Sequence, residues 1–208
     1  MTTSLMLEQA RQAFEQGDAA RTRALAEQVL HLDGTQAEAW HLLGLLASAD
    51  SRPQAALPLL NRARALDPWN PVYFNSLGIA AEQAGQPELA LQAFRQAVQL
   101  DPRDPFLLVN LAHLLWAQRE PDAALICYRQ ALDLDPLDPQ TCQDYATALE
   151  QAGHQLQAEA CLRRSLMFRP EDPETRLQLA RLLYRQQRFG AVSELLQAVP
   201  LTPDGREL

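Results

Sequence analysis

The sequence predicts an all-α fold, an α-solenoid of about six helix-turn-helix repeats that form one array over residues 1–208. The first observation is a fixed period of 34 residues, which is set by four prolines: Pro68, Pro102, Pro136 and Pro170. The second is that apolar and small residues recur between these prolines at the same period. A unit of this length is too small to hold a core alone, so neighbouring units bury their apolar faces against each other. The predicted units are residues 3–36, 37–70, 71–104, 105–138, 139–172 and 173–206.

The first helix of most units is predicted to begin where an Asn or Asp precedes a proline, as at Asn70-Pro71. The Asn or Asp side chain can cap free backbone N–H groups, and proline suits the first turn of a helix. Within this helix, one face carries mostly apolar or small residues, as in Phe74, Leu77 and Gly78. Because their spacing matches the helical period, we predict that this face is buried.

The first helix is predicted to end at one position that favours the left-handed backbone conformation. Glycine suits that conformation best, and the residues found there are Ser51, Gly85, Arg119, Gly153 and Gln187. The second helix then places small residues on either side of a large one, as in Ala90, Phe94 and Ala97. Small residues against large ones let the two helices of a hairpin interlock at short distance. The repeating proline stops the second helix.

The same residues carry a resemblance to a known family. Two consecutive units show the pattern as Trp40, Leu43, Gly44, Ala56, Ala63 and Pro68, and as Phe74, Leu77, Gly78, Ala90, Phe94, Ala97 and Pro102. The chain resembles a bacterial-type tetratricopeptide repeat (TPR) protein with six repeats, the first of which is degenerate at Gln9, Thr22 and Ala26. This resemblance implies a right-handed superhelix. It also implies that the first helices line a concave groove, the usual place for a bound peptide or partner helix.

The groove is expected to be lined by a stripe of residues beside the buried face of each first helix. In the middle of the chain this stripe is apolar with a polar rim, a pattern typical of binding sites. The predicted peptide-binding or partner-binding groove consists of Val72, Asn75, Ile79, Phe106, Val109, His113, Trp116 and Gln143. Phe106 and Trp116 are interpreted as anchors that provide contact area. Asn75 and Gln143 are interpreted as holding the backbone amides of an extended peptide.

An alternative to the groove is that these residues are ordinary core, buried by tight superhelical closure or by a neighbouring copy of the chain. Two known modes of TPR binding are not expected. The clamp that grips the C-terminus of chaperones depends on lysine, and this chain has none. The asparagine ladder of O-linked N-acetylglucosamine transferases is matched only at Asn110.

The sequence therefore favours a non-catalytic scaffold or adaptor for protein–protein interaction, with no catalytic residue, cofactor or metal site. His41 and His113 are two repeats apart, which is too far to share a proton or a metal ion, so each is interpreted as a groove hydrogen-bonding residue. The alternative function is the N-terminal substrate-recognition arm of a larger glycosyltransferase, sulfotransferase or methyltransferase.

Composition narrows the expected partners and location. The net charge is −8 and all 18 basic residues are arginine, without a dense basic cluster, so nucleic acid is not an expected partner. The first 16 residues contain no unbroken apolar run, which predicts a cytoplasmic protein without membrane insertion. The cysteines are odd in number and lack paired spacing. Cys127, Cys142 and Cys161 are therefore expected to be reduced, inert thiols, and neither disulfides nor zinc are expected.

The last predicted helix leaves an apolar face without a further repeat to cover it. This face consists of Val192, Leu195, Leu196 and Val199. We expect it to be covered by the segment that follows, by a second copy of the chain or by a further domain. Self-association through this face would give a mass that depends on concentration in sedimentation.

Overall fold

The structure is a computed structural model that describes residues 2–197, and within this range it contains twelve α-helices and no strands. The helices are α1 Thr3–Glu15, α2 Ala19–Leu32, α3 Ala37–Ala49, α4 Pro53–Leu66, α5 Pro71–Gln83, α6 Pro87–Leu100, α7 Pro105–Ala117, α8 Pro121–Leu134, α9 Pro139–Gln151, α10 Gln155–Phe168, α11 Pro173–Arg185 and α12 Phe189–Gln197. The predicted all-α repeat fold is confirmed. None of these helices combines the length and the apolar character needed to cross a membrane.

The chain divides into two compact units, residues 1–114 and 115–208, and the division falls within α7. In the first unit, α1 to α6 pack in order, each of α1 to α5 against the next helix along the chain. In the second unit, α8 to α12 do the same. Consecutive packing of this kind is typical of repeat proteins, in which each repeat contacts only the neighbouring repeats. The single array over residues 1–208 stays a prediction.

The predicted helix starts are confirmed by hydrogen bonds between side chains and the backbone. Asn70 Oδ1 accepts a hydrogen bond of 3.0 Å from the backbone N–H of Val72, at the start of α5. Asp138 accepts one of 2.9 Å from the backbone N–H of Thr141, at the start of α9. Each cap satisfies a backbone donor that has no partner within its helix, so the repeated Asn-Pro and Asp-Pro pairs fix where the first helices begin.

The predicted helix ends are confirmed as well. Gly85 and Gly153 have φ of 71° and 84°, and the other residues at this position are also left-handed: Ser51 at 56°, Arg119 at 63° and Gln187 at 60°. A side chain at positive φ brings Cβ close to the following carbonyl oxygen, which costs about 1–2 kcal/mol. The three repeats without glycine therefore carry conformational strain at this turn.

Replacing Gly85 with alanine should lower the free energy of unfolding by about 1 kcal/mol, measured by urea denaturation. No atom lies within 4 Å of the added Cβ, so the cost is conformational and not steric. Gly34→Ala is the matched control, because Gly34 lacks a positive φ and its nearest contact would be an ordinary 3.8 Å to Leu30 O. A similar loss of stability in both variants would contradict the interpretation.

Two hairpins in the first unit, α3 with α4 and α5 with α6, are held by a large side chain of the second helix that fits against a glycine of the first. Phe94 of α6 is 1% exposed, and the small residues on either side of it, Ala90 and Ala97, are fully buried. An added Cβ at Gly78 would lie 2.5 Å from Phe94 Cε1. An added Cβ at Gly44 would likewise lie 2.6 Å from Leu60 Cδ2. The predicted interlock of small and large residues is therefore confirmed, and the close neighbour of each glycine is a side chain.

The second unit has a continuous core that includes two of the cysteines. Its buried residues are Leu132, Cys142, Ala146, Leu149, Ala158, Cys161, Leu162, Leu179, Leu182 and Leu183. Leu179 and Leu183 of α11 lie one or more whole repeats from apolar residues of the predicted buried face, and both are fully buried. Half-buried Val192 and Leu195 of α12 pack against this core.

The apolar face predicted on the last helix is narrower than expected. Of its four residues, Val192 and Leu195 pack against the core of the second unit. They lie on the same side of α12, because residues three apart share one side of a helix. Leu196, the next residue along, is 51% exposed. Val199 lies outside the described residues. Self-association through this helix stays a prediction, and among the described residues it rests on Leu196.

Candidate functional site

The stripe predicted to line a groove has exposed apolar side chains in the first unit. Val72 of α5 is 51% exposed and Phe106 of α7 is 59% exposed. Ile79 and Val109, one or two turns further along the same helices, are half-buried, and His113 is exposed. Val72 and Phe106 are one repeat apart, so each occupies the same position in its own helix. Two apolar members of the stripe in this unit, one of them aromatic, are therefore accessible to solvent.

Asn75, another residue of the predicted groove, is 6% exposed. Its Oδ1 accepts a hydrogen bond of 2.8 Å from Nδ2 of Asn110, on the next first helix along the chain. The same link recurs one repeat earlier, where His41 Nε2 and Ser76 Oγ lie 2.8 Å apart. In both pairs the partners are 35 residues apart. The structure thus uses Asn75 and His41 to connect neighbouring first helices, whereas the sequence suggested contacts to a bound peptide.

The second unit contains a third link of this kind. Gln178 of α11 donates a hydrogen bond of 3.1 Å to the backbone oxygen of Gln143 on α9, again 35 residues away. Nε2 of Gln143 donates in turn to Thr175 Oγ1 at 3.1 Å. Gln143 was predicted to hold a peptide, and here it joins α9 to α11. We call these three connections the inter-repeat links: His41 with Ser76, Asn75 with Asn110, and Gln143 with Gln178.

Sequence reasoning missed the inter-repeat links, although a signal was present. The linking residue of one unit and the residue one position later in the next unit are both polar in each of the three cases. A polar residue at the first position alone resembles a groove residue. Only the pair, taken across two repeats, indicates a hydrogen bond between helices, because a buried polar group needs a partner.

Burial lowers the pKa of His41 to about 4. The imidazole also packs against Tyr73, with the ring centroids 4.8 Å apart. Burial disfavours the charged form of histidine, and no carboxylate contributes to the shift, so the ring is neutral near pH 7. A neutral imidazole can take part in the hydrogen bond to Ser76 either as donor or as acceptor.

A polar cavity of about 580 Å³ lies along α9 and α11 in the second unit. Its lining includes Gln143, Thr147, Gln178 and Arg181, and also Arg185, which is paired with Glu150. These residues lie in or next to the stripe that was predicted to line the groove. In the first unit the same stripe is apolar. The structure therefore places Gln143 in a polar cavity. Trp116, which was predicted as an anchor, belongs to the second unit and is half-buried.

Two of the three cysteines meet in the core of the second unit. Cys142 Sγ of α9 and Cys161 Sγ of α10 are 3.1 Å apart, although 19 residues separate them. All three cysteines are buried thiols, as the sequence suggested. The meeting of Cys142 and Cys161 was not predicted, because neither spacing nor periodicity marks the pair. Within residues 2–197, no three or more His, Cys, Asp or Glu residues are grouped to hold a metal ion.

Sequence models of the tetratricopeptide repeat match the chain at residues 7–71, 43–105 and 81–140. The chain belongs to the TPR family. Among curated proteins, none matches this TPR chain in sequence. TPR proteins are generally non-catalytic scaffolds, and the TPR fold supports a role in protein–protein interaction.

Solved structures of TPR proteins resemble the chain closely in fold and weakly in sequence. PilF of Pseudomonas aeruginosa is 18% identical with a TM-score of 0.80, and the match covers 97% of this chain and 92% of PilF. A thermophilic TPR protein of Thermus thermophilus is 21% identical with a TM-score of 0.65, covering 88% and 100%. YrrB, described as a TPR protein with an unusual peptide-binding site, is 19% identical with a TM-score of 0.67, covering 88% and 90%. At these identities the likeness shows the fold alone.

Proposed function

We propose that this chain is an interaction scaffold whose first unit binds an extended segment of a partner protein along α5 and α7. The observation that carries the proposal is the exposure of Val72 and Phe106, at 51% and 59%, on the stripe predicted to face a ligand. Large apolar side chains at matching positions of neighbouring helices offer paired contacts to one ligand. The existence of a TPR protein with a peptide-binding site, YrrB, supports the same kind of function.

The spacing of the two side chains suggests what the partner segment contains. The hydrogen bond between Asn75 and Asn110 makes α5 and α7 neighbours, and neighbouring helix axes lie about 8–10 Å apart. A peptide in the extended polyproline II conformation advances about 3.1 Å per residue with three residues per turn, so side chains three residues apart span that distance on one face. We therefore expect two apolar side chains separated by two residues, one against Val72 and one against Phe106. Half-buried Ile79 and Val109 would extend the apolar contact.

The polar residues have a different role in this proposal. Because Asn75 already bonds to Asn110, it supports the positions of α5 and α7. His113 is exposed at the rim. Trp116 and Gln143, which belong to the second unit, stay predicted partner-binding residues.

Replacing Phe106 with alanine should weaken binding of the partner segment by about 2 kcal/mol, the scale of an interface hot spot. Peptides would first be selected against the full chain from a random display library. The affinity of a selected peptide would then be measured by fluorescence polarisation. Leu32→Ala is the matched control, because Leu32 lies in the same unit and is also 59% exposed, but it belongs to a second helix.

The binding pattern of the variants decides between the alternatives. Loss of affinity in Phe106→Ala but not in Leu32→Ala would support the groove. Equal affinity in both variants, with unchanged circular dichroism, would contradict it. If a neighbouring copy covers these residues instead, sedimentation should show a mass that depends on concentration and that Phe106→Ala reduces.

A further inference from the structure

The sulfur atoms of Cys142 and Cys161 lie close to bonding geometry. They are 3.1 Å apart, and Cys142 Sγ is also 3.3 Å from the carbonyl oxygen of Cys161. A disulfide bond is about 2.05 Å long, so the two atoms need to approach by about 1 Å to bond. Both residues are less than a tenth exposed and belong to the same core cluster, which holds α9 against α10. The fold therefore keeps the two thiols facing each other.

One of the two thiols borders a cavity that opens among surface residues. Cys161 lines a cavity of about 400 Å³, together with Arg129, Tyr145 and Arg164. Both arginines are exposed, so they favour the entry of an anionic molecule, although Asp133 in the same lining reduces the excess positive charge. Cys142 is 3% exposed and does not belong to this lining. A small reagent therefore reaches the pair from the side of Cys161.

The hydrogen bond between the two sulfur atoms helps the pair to ionise. It lowers the pKa of Cys142, and the side chain of Ser165 and the charge of Arg164 act in the same direction. The same bond, together with burial, raises the pKa of Cys161. The first proton is therefore lost from the pair as a whole, and the remaining proton is shared between the two sulfur atoms. The thiolate form is the one that reacts with disulfides.

We propose that Cys142 and Cys161 form a reversible intramolecular disulfide by exchange with a small anionic disulfide that enters the cavity beside Cys161. In the first step, the shared proton moves to Cys142, and the thiolate of Cys161 attacks one sulfur of the small disulfide, which releases one small thiolate and leaves a mixed disulfide on Cys161. In the second step, Cys142 gives its proton to the released small thiolate, and the Cys142 thiolate attacks Cys161 Sγ and releases the second small thiolate. The two protein thiols lose two electrons and two protons, and the small disulfide becomes two thiols.

The test uses the full chain and oxidised glutathione as the probe. After native incubation, the protein is denatured in acid, the remaining thiols are alkylated, and the mass is measured. We expect the number of alkylated cysteines to fall from three to one, with Cys127 as the one that remains. Cys142 and Cys161 lie in one tryptic peptide, residues 130–163, because no arginine or lysine stands between Arg129 and Arg163. This peptide should appear without alkylation and lighter by the mass of two hydrogen atoms, and treatment with dithiothreitol before alkylation should restore both alkylated cysteines.

Matched variants separate this pair from general thiol oxidation. Cys127→Ala should still form the cross-link, whereas Cys142→Ala and Cys161→Ala should not, and circular dichroism checks that each variant folds. Three alkylated cysteines after native incubation, or a cross-link that includes Cys127, would overturn the proposal. A cross-link that forms only when urea is added during the incubation would overturn it as well, because the native fold would then not bring the thiols together.

The charge of the cavity is tested by the rate of cross-linking. Replacing Arg164 with glutamine should slow the reaction with oxidised glutathione several-fold at low salt. The reaction with 2-hydroxyethyl disulfide, which is neutral, should slow less, because it depends only on the effect of Arg164 on the pKa of the pair. An equal change with both reagents would overturn the role given to Arg164 in attracting an anionic disulfide.

Discussion

Replacing Gly78 with alanine should lower the free energy of unfolding by about 2 kcal/mol, within the range found for overpacked cores. The added methyl group would lie 2.5 Å from Phe94 Cε1, closer than nonbonded carbon atoms approach. Phe94 is 1% exposed and is flanked by fully buried alanines, so the ring has little room to move aside. The cost should exceed the gain of about 1 kcal/mol that alanine brings to a helix over glycine. Urea denaturation of the two proteins measures the difference.

A second variant shows whether the ring of Phe94 is the cause. In a Phe94→Ala background, Gly78→Ala should cost nothing further and should recover part of the helix propensity. Gly190→Ala is the matched control, since Gly190 also lies in a helix and nothing stands within 4 Å of its added Cβ. That variant should be as stable as the original chain or slightly more stable. Additive effects of Gly78→Ala and Phe94→Ala would refute the proposed contact.

The second large effect is expected from His41 on acidification. The pKa of His41 is about 4 in the folded chain and about 6.5 when the chain is unfolded. Above pH 6.5 both states hold a neutral ring, so His41 adds no pH dependence there. As the pH falls from about 6.5 to 4, the unfolded state binds the proton more strongly, and stability decreases. The loss from His41 should reach about 3 kcal/mol at pH 4.

The contribution of His41 is measured as a difference between proteins, because carboxylates also titrate in this range. Urea denaturation of the original chain and of His41→Asn at several pH values should give curves that converge between pH 6.5 and 4. His31→Asn is the control, since His31 is exposed in the same unit and should leave the slope unchanged. Parallel curves for the original chain and His41→Asn would show that burial does not lower the pKa of His41.

Much of the fold could be predicted from the sequence, because it depends on features that repeat. The cap at Asn70, the left-handed turn at Gly85 and the fit of Phe94 against Gly78 each follow from a residue type at a fixed position. Each of these is local to one hairpin. Periodicity reports local features well, since every repeat provides an independent example of the same requirement.

The polar part of the candidate site could not be predicted in the same way. Whether Asn75 faces a ligand or a neighbouring helix depends on Asn110, which is one repeat further along the chain. The meeting of Cys142 and Cys161 depends on how two helices of one hairpin pack, and no other repeat has cysteine at both positions. Features that occur once, or that need two partners, leave no periodic signal. The exposure of Val72 and Phe106 could be predicted from the sequence, because it follows from their position on the helix.

The inter-repeat links also restrict how this gene could have changed its number of repeats. Each link joins a different chemical pair: His41 with Ser76, Asn75 with Asn110, and Gln143 with Gln178. Deleting residues 71–104 by recombination would keep the 34-residue register but would place His41 opposite Asn110. Asn110 can still form a hydrogen bond with the imidazole, but its amide is larger than the hydroxyl group of Ser76, so the two helices would have to repack around the new pair. The repeats are alike in their apolar framework, yet each is fitted to its own neighbour, so they are not interchangeable building blocks.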